Sequence, residues 1–295
     1  MRTANAPIRQ ERHIAASTSL GLLIRRYTLG FVGLVIVILF VAAAVAAPFV
    51  APYDPLEVTL EKMLRPPSIQ HPLGTDELGR DLLSRIIHGG RISLIVAVGS
   101  VSVSLFLGLI IGLTAGFRGG AVDAVLMRGM DAILSFPSLV LALAIAAALG
   151  ARLTNTILAI GIVYVPQFAR LVRGQVLAVR NLEYVQAAHG LGAKDIRVIL
   201  HHILPNITTP LTVQVTLSMG YAILAEAALS FLGVGVQPPQ PAWGTMLRTG
   251  YPYLEMAPWL ALVPGAVIFV VVMSLNFVGD GIRNFFAGEL RMKNE

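Results

Sequence analysis

Apolar residues in this chain fall in long blocks instead of alternating with polar residues. Each block is close to the ~20 residues that a helix needs to cross a ~30 Å hydrocarbon core. Blocks of this length indicate that lipid surrounds much of the folded chain. The pattern predicts six membrane-spanning helices, at Phe31–Val50, Ile92–Gly116, Ala132–Leu149, Asn155–Leu171, Leu211–Leu232 and Trp259–Gly279.

Two of these blocks contain an internal proline. Pro137 lies in the third block and Pro166 in the fourth. Proline removes a backbone donor and its ring crowds the preceding turn, so a kink is expected in both helices.

The distribution of Lys and Arg predicts the orientation. Fifteen of the 22 basic residues lie in the two terminal tails and the second-to-third and fourth-to-fifth connections, and seven lie on the other side. Basic residues accumulate on the cytoplasmic side, so both termini are expected there. The first apolar block is longer than the core of a signal peptide, which favours an uncleaved span.

These observations divide the chain into segments that alternate between membrane and water. They are a cytoplasmic tail (1–30), a first span (31–50), an extracytoplasmic segment with a surface helix (51–91), a five-helix transmembrane domain with a cytoplasmic loop at 172–210 (92–280) and a cytoplasmic C-terminal tail (281–295).

Composition narrows the function classes. Hydrophobic residues make up 56% of the chain and charged residues 13%, against about a quarter charged in soluble domains. The net charge of +6 does not indicate nucleic-acid binding, because the basic residues flank apolar blocks instead of forming one stripe. The chain has no cysteine, which excludes disulfides and thiolate metal sites.

The segment between the fourth and fifth spans has the pattern of a helical hairpin. Asn181 is a candidate cap for a first helix, Leu182–His189. Gly190 and Gly192 are expected to take the positive φ that reverses the chain. A second helix is expected from Ala193 until Pro205 ends it, with an apolar stripe formed by Ile196, Ile199, Leu200 and Ile203.

The same residues allow two roles for this hairpin. Ala187 and Ala188 are small, so another surface can approach the turn closely. The hairpin therefore suits a groove on a soluble partner, and it equally suits packing beneath its own helix bundle.

The extracytoplasmic segment predicts a surface helix before the second span. Thr75 is a candidate cap, and Asp81 and Arg85 are spaced for an ion pair. Trp243 and Tyr251 fit an interfacial aromatic belt. His71, Asp76, Asp81 and His88 carry side chains that can bind a metal, but caps and a solvated face explain them better, and no metal site is predicted.

Two features within the spans suggest specific contacts. Gly108, Gly112 and Gly116 repeat at every fourth residue, which permits close approach of a helix from the same subunit or from a second one. Glu226 is an acidic residue deep in a span, where an uncompensated charge costs about 2.5–3.5 kcal/mol. It is expected either to line a translocation path or to pair with a basic group.

No motif for catalysis is present. The chain has no phosphate-binding loop, no nucleophile elbow and no His-Glu-x-x-His pair. An enzyme is therefore not expected. An ion-driven carrier or channel remains an alternative, although it would be expected to show several charged groups near the midplane. A membrane scaffold would not explain Glu226.

Four stretches of the sequence resemble a known family. The hairpin is similar to the cytoplasmic loop of ABC importer permeases, with Gln186 and His202 departing from the usual Glu and Ile. Glu183, one turn earlier, offers a carboxylate instead. The strings at His71–Leu94, Met127–Ile145 and Ala228–Leu247 resemble the dipeptide/oligopeptide/nickel group, particularly its second permease subunit.

The resemblance implies an all-α polytopic protein with six transmembrane helices and the type I ABC importer permease fold. It implies an inner-membrane subunit that imports peptides with a homologous permease, two ATPase subunits and an extracytoplasmic binding protein. ATP and Mg would be used by those ATPases, and this chain would bind no cofactor. The implied ATPase-coupling residues are Glu183, Gln186, Ala187, Ala188, Gly190, Gly192, Leu204 and Pro205.

Overall fold

A computed structural model describes residues 28–292, with side chains to residue 286. Within this part the chain is helical and forms no strand beyond one isolated bridge between Thr75 and Asp81. The all-α prediction is confirmed. The predicted cytoplasmic tail up to residue 27, the last three residues and their basic side chains lie outside the described residues.

Eleven α-helices account for most of the described chain. Their bounds are α1 (Thr28–Val45), α2 (Ala47–Val50), α3 (Leu82–Arg118), α4 (Gly120–Leu134), α5 (Ser138–Leu149), α6 (Leu153–Val179), α7 (Glu183–Gly190), α8 (Asp195–Val198), α9 (Leu204–Phe231), α10 (Trp243–Gly250) and α11 (Trp259–Met292).

Five helical segments are long and apolar enough to cross a membrane, and a sixth span is formed if α4 and α5 are counted together. These two helices meet at 88°. The break falls at Pro137, where the sequence predicted a kink, and this proline directly precedes the first residue of α5. Pro166, by contrast, lies inside the uninterrupted helix α6. Six predicted spans therefore correspond to five long helices and one bent pair.

The glycine repeat packs α3 against α6 of the same subunit, which is the most extensive helix contact in the described chain. A Cβ at Gly112 would lie 2.6 Å from the Ala169 carbonyl oxygen, and one at Gly116 would lie 2.8 Å from Val176 Cβ. At Gly108 it would collide with Phe168. The within-subunit alternative for this repeat is confirmed, because only glycine permits this separation.

The predicted surface helix in the extracytoplasmic segment is wrong. Residues 63–81 are irregular, and α3 begins at Leu82 and continues directly into the span. Asp81, not Thr75, is its N-cap, and its carboxylate accepts from the Ser84 N–H at 2.8 Å. The Thr75 hydroxyl instead accepts from the Arg65 N–H at 2.9 Å and donates to the Lys62 carbonyl.

Buried ion pairs hold this segment together as an outer cap, comprising residues 51–81. Asp76 accepts from Arg80 at 2.7 Å and contacts Arg85 at 3.2 Å. The predicted Asp81–Arg85 pair is therefore wrong, because Arg85 turns to Asp76. His71 Nδ1 lies 2.9 Å from Asp81. Residues 28–286 contain no cluster of three groups arranged to hold a metal.

Trp243 does not belong to an interfacial belt, as the sequence predicted. It is buried, and its indole N–H donates to the Ile86 carbonyl at 3.0 Å. Its ring fits against Gly89 and Gly90 of α3 and contacts Phe40 of α1. Tyr251 remains exposed, as a belt residue would be.

We expect Gly112→Leu to lower the thermal stability of the purified protein in detergent. The added side chain has no room against α6, and overpacking of this kind costs about 1–3 kcal/mol. Gly174→Leu is the matched control, because a Cβ at Gly174 meets no atom within 4 Å. Equal melting temperatures for the two variants would contradict the close packing of α3 on α6.

Candidate functional site

The candidate site is the hairpin formed by residues 181–206, which connects α6 to α9. Helix α7 ends at Gly190, a short turn follows, and α8 begins at Asp195. A π-turn at Ile199–Ile203 then joins α8 directly to α9. The segment from Asp195 to Phe231 is therefore helical throughout.

Gly192 forms the reversal between the two helices. Its φ is +85°, a conformation that strains any residue with a Cβ. The Gly192 N–H donates to the His189 carbonyl at 2.9 Å, and the Ala193 N–H donates to the Ala188 carbonyl at 3.0 Å. These two bonds define a Schellman motif with glycine at its usual position. Gly190 is the last residue of α7 and lacks the positive φ predicted for it.

The beginning of α7 differs from the prediction. The cap position is occupied by Leu182, and no side chain caps the helix. Asn181 instead donates to the Leu177 carbonyl at 3.2 Å, at the end of α6. Glu183 lies in the first turn, where its carboxylate is favoured by the helix dipole.

Pro205 does not end the second helix, as the sequence predicted. The Leu204 N–H donates to the Ile199 carbonyl, five residues back, and this wider turn precedes Pro205 directly. The wider π-turn leaves room for the Pro205 ring, which would be crowded by the preceding turn of a regular α-helix. The residues of the predicted apolar stripe no longer share one face. Ile203 is buried, whereas Ile196 and Leu200 are exposed.

Three buried side chains fix the hairpin to the helix bundle. Val185 of α7, Val198 of α8 and Ile203 of the π-turn all belong to the main hydrophobic core. Arg180, just before the hairpin, donates to the Gly116 carbonyl at 2.7 Å at the end of α3. The hairpin is therefore attached both to α9 and to the α3–α6 pair.

The opposite face of the hairpin is apolar and uncovered. Leu191 at the tip is 90% exposed, and Tyr184, Ile196 and Leu200 are each about half exposed or more. Of the predicted coupling residues, Gln186 and Ala187 are exposed and Ala188 is half-buried. Leu204 and Pro205 follow the π-turn at the base of the hairpin.

Glu226 lies far from the hairpin, near the other end of α9. It is fully buried, and it accepts from the Ser230 hydroxyl at 2.8 Å and from the Ser93 hydroxyl of α3 at 3.5 Å. Of the two alternatives raised from the sequence, a pair with a basic group is not found among the described residues, where serine hydroxyls bond the Glu226 carboxylate. A role for Glu226 in the path stays a prediction.

A membrane groove that the sequence reasoning missed lies between α5, α6 and α9. Its cavity of about 350 Å³ is lined by Ser138, Tyr164 and Tyr221 among apolar residues. Closer to the hairpin, the Gln214 amide of α9 donates to the Gln167 side chain of α6 at 3.4 Å. The sequence contains one indication of this groove. Gln214, Ser218 and Tyr221 are spaced so that three polar residues lie on one face of an apolar helix.

Two family models match the sequence. Residues 108–292 match the binding-protein-dependent transport system inner membrane component. Residues 24–67 match the N-terminal transmembrane domain of oligopeptide transport permease C. The first match covers the helices that form the hairpin and the groove.

Curated relatives extend this similarity over most of the chain. The chain is 47% identical over 265 residues to a di/tripeptide transport system permease protein of Pseudomonas aeruginosa, covering 88% of both chains. It is 44% identical over 261 residues to a dipeptide transport system permease protein of Alkalihalophilus pseudofirmus, covering 88% of this chain and 86% of that one.

Solved structures support the same fold. A chain of the MetNI methionine ABC transporter, in inward-facing conformations, aligns with a TM-score of 0.55 at 17% identity, covering 68% of this chain and 95% of that one. A chain of an amino acid ABC transporter aligns with a TM-score of 0.52 at 16% identity, covering 66% and 91%. The chain thus belongs to the family of binding-protein-dependent transport system inner membrane components and is a permease subunit of an ABC importer.

Proposed function

We propose that this subunit forms half of a path for di- and oligopeptides and that the hairpin receives mechanical work from a cytoplasmic ATPase. The substrate class follows from the relatives, whose names specify dipeptide and tripeptide transport. The coupling role follows from one observation. The hairpin is anchored in the bundle on one face and exposes an apolar tip on the other.

The partners in this proposal are a homologous permease, two ATPase subunits and an extracytoplasmic binding protein. ATP and Mg are used by the ATPases, and this chain binds no cofactor. The assembly lies in the bacterial inner membrane with both termini of this chain in the cytoplasm. This orientation places the hairpin in the cytoplasm and the outer cap on the opposite side, in agreement with the excess of basic residues near the hairpin.

The apolar tip is the part of the hairpin that contacts the ATPase groove. Leu191 is 90% exposed among the described residues, whereas Val185 on the other face of α7 is almost completely buried. Burial of a leucine side chain stabilises an interface by roughly 1.5–3 kcal/mol. Beside the tip lies an uncharged surface with little side-chain bulk, formed by Gln186, Ala187 and Ala188. It lets the ATPase groove approach the helix backbone.

Because the hairpin is attached to the helix bundle, displacement of the hairpin moves the membrane helices. Because α8, the π-turn and α9 form one continuous helical segment, movement of the tip is passed to the membrane half of α9. The Arg180 bond to the Gly116 carbonyl passes the same movement to α3. Closure of the ATPase pair thereby tilts the helices and exchanges an inward-open for an outward-open path.

An ion-driven carrier, the alternative raised from the sequence, has no support among these relatives, which are ABC permeases. The residues of the hairpin therefore carry the energy coupling in this proposal, and no gradient of protons or sodium enters it.

We expect Leu191→Asp to abolish ATP-driven uptake of a labelled dipeptide and to reduce co-purification of the ATPase subunits at least tenfold. A charge replaces an apolar anchor that must lose its water at the interface. Membrane insertion should be unchanged, because the Leu191 side chain is 90% exposed and lies outside the hydrophobic core of the bundle.

Ile69→Asp is the matched control. Ile69 is an equally exposed apolar residue, but it lies in the outer cap. ATPase co-purification should be normal for this variant. Retention of the ATPase subunits by Leu191→Asp would contradict docking at the tip.

We also expect Gly192→Ala to loosen the hairpin, because alanine at φ +85° costs roughly 1–2 kcal/mol in the left-handed region. Hydrogen–deuterium exchange of residues 183–198 in the assembled transporter should become about fivefold faster or more, and uptake should fall.

Gly190→Ala provides the comparison. A Cβ at either glycine would meet no atom within 4 Å, but Gly190 has ordinary helical geometry. Its exchange rate should stay at or below that of the parent protein. Identical exchange in the two variants would argue against the turn as the source of hairpin rigidity.

A further inference from the structure

The outer surface of the helix bundle differs in polarity from one side to another. Exposed residues of α1 are large and apolar, including Leu29, Ile38 and Leu39, and those of α3 include Ile95 and Phe106. Such faces suit lipid or another apolar protein surface. The groove between α5, α6 and α9 is different, because Ser138, Tyr164 and Tyr221 lie among its apolar residues, and Gln167 and Gln214 continue this polar character towards the hairpin.

The polar side chains of this groove form two short rows, here called the polar track. Helix α6 contributes Tyr164 and Gln167, three residues apart, and α9 contributes Gln214, Ser218 and Tyr221, four and three residues apart. Both spacings keep the residues on one helix face. The Gln214 amide joins the two rows by donating to the Gln167 side chain at 3.4 Å, and it also donates to Ser218 of its own row at 3.1 Å.

The two rows lie at matching depths in the membrane. Tyr164 is 11 residues from the first residue of α6, and Tyr221 is 10 residues from the last residue of α9. The hairpin joins the other ends of these two helices, so both tyrosines lie roughly 16 Å from the opposite end. That is about the middle of a ~30 Å hydrocarbon core.

Polar groups at this depth are unfavourable next to lipid. A hydroxyl or amide transferred to hydrocarbon without a partner costs several kcal/mol. Yet Tyr221 is 51% exposed on this chain, and Gln167 and Gln214 are partly exposed. The exposed side chains of the track therefore require a polar neighbour in the assembled transporter, which is water, a polar ligand or polar groups of a second subunit.

We propose that the polar track lines the route of the cargo and hydrogen-bonds the peptide groups that pass along it. This assignment rests on the proposed function and adds the residues of the path. Tyrosine hydroxyls both donate and accept, as do glutamine amides, and peptide N–H and C=O groups need both.

The residues that line the groove carry no charge, which suits a cargo of variable side chains. A fixed charge at mid-membrane would favour peptides of one sign and repel the other. Towards the hairpin end the track is followed by two ion pairs between α4 and α6. These are Asp131 with Arg170, and Asp123 with Arg173 at 2.5 Å. Each pair compensates its own charge.

Single-cysteine accessibility tests the assignment, because the chain contains no cysteine. Tyr221→Cys and Gln214→Cys are introduced separately into the complete transporter in membrane vesicles. A water-soluble, membrane-impermeant methanethiosulfonate reagent is applied from each side, with and without ATP. We expect both variants to react in at least one nucleotide state and dialanine at high concentration to slow the reaction.

Phe106→Cys is the matched control. Phe106 is 64% exposed on this chain, slightly more than Tyr221, but lies on an apolar face of α3. We expect it to react at least tenfold more slowly than Tyr221→Cys. If Tyr221→Cys and Gln214→Cys are as unreactive as this control in every state, the track lies against lipid or a second subunit, and the assignment is overturned.

Uptake of dialanine and its stimulation of ATP hydrolysis are measured on the same vesicles before labelling. If uptake is normal and the track is unreactive, the path assignment fails while the proposed function stands. If the unmodified transporter takes up no dipeptide, the proposed function fails whatever the labelling shows.

Discussion

The close contact between α3 and α6 is the interaction on which the rest of this structure depends. Gly108, Gly112 and Gly116 let the two backbones approach until α6 side chains fill the space that a Cβ would occupy. Without a hydrophobic driving force between helices in lipid, such contacts depend on packing and on interhelical hydrogen bonds. Here the Ser100 and Ser104 hydroxyls of α3 donate to the Ile157 and Gly161 carbonyls of α6, at 3.2 and 2.7 Å. The outer cap is joined to one end of α3 by Asp81, and Arg180 joins the hairpin to the other end.

Under the proposed function, this arrangement accounts for how a subunit without an ATPase of its own takes part in driven transport. In that proposal, work enters at the apolar tip of the hairpin and reaches the membrane through α9 and through the α3–α6 pair. The polar track lies on α6 and α9, the two helices that the hairpin connects. Displacement of the hairpin is thereby applied to both sides of the groove at once.

The sequence predicted the features that depend on local composition. Hydropathy predicted the five long helices because each is apolar over a length that can cross a bilayer by itself, and Pro137 marked the break between α4 and α5. Prediction from the sequence failed where contacts between residues distant in sequence decide the local structure. Thr75 and Asp81 are both good caps, but Thr75 is bonded to the chain around Lys62 and Arg65. Trp243 finds a buried partner 157 residues away, which no local pattern records. Pro205 reads locally as the end of a helix, but the π-turn at Ile199–Ile203 lets the helix continue past it.

The most direct measurement of this coupling is the distance between spin labels on the hairpin and on the outer cap, introduced as Ala187→Cys and Val58→Cys in a transport-competent complex. If the hairpin and the bundle move as one body, the distance distribution stays unchanged between the nucleotide-free and the ATP-trapped states. A shift or broadening of that distribution on ATP trapping, with uptake intact, would show that the hairpin moves independently of the bundle and would contradict its role as a rigid lever.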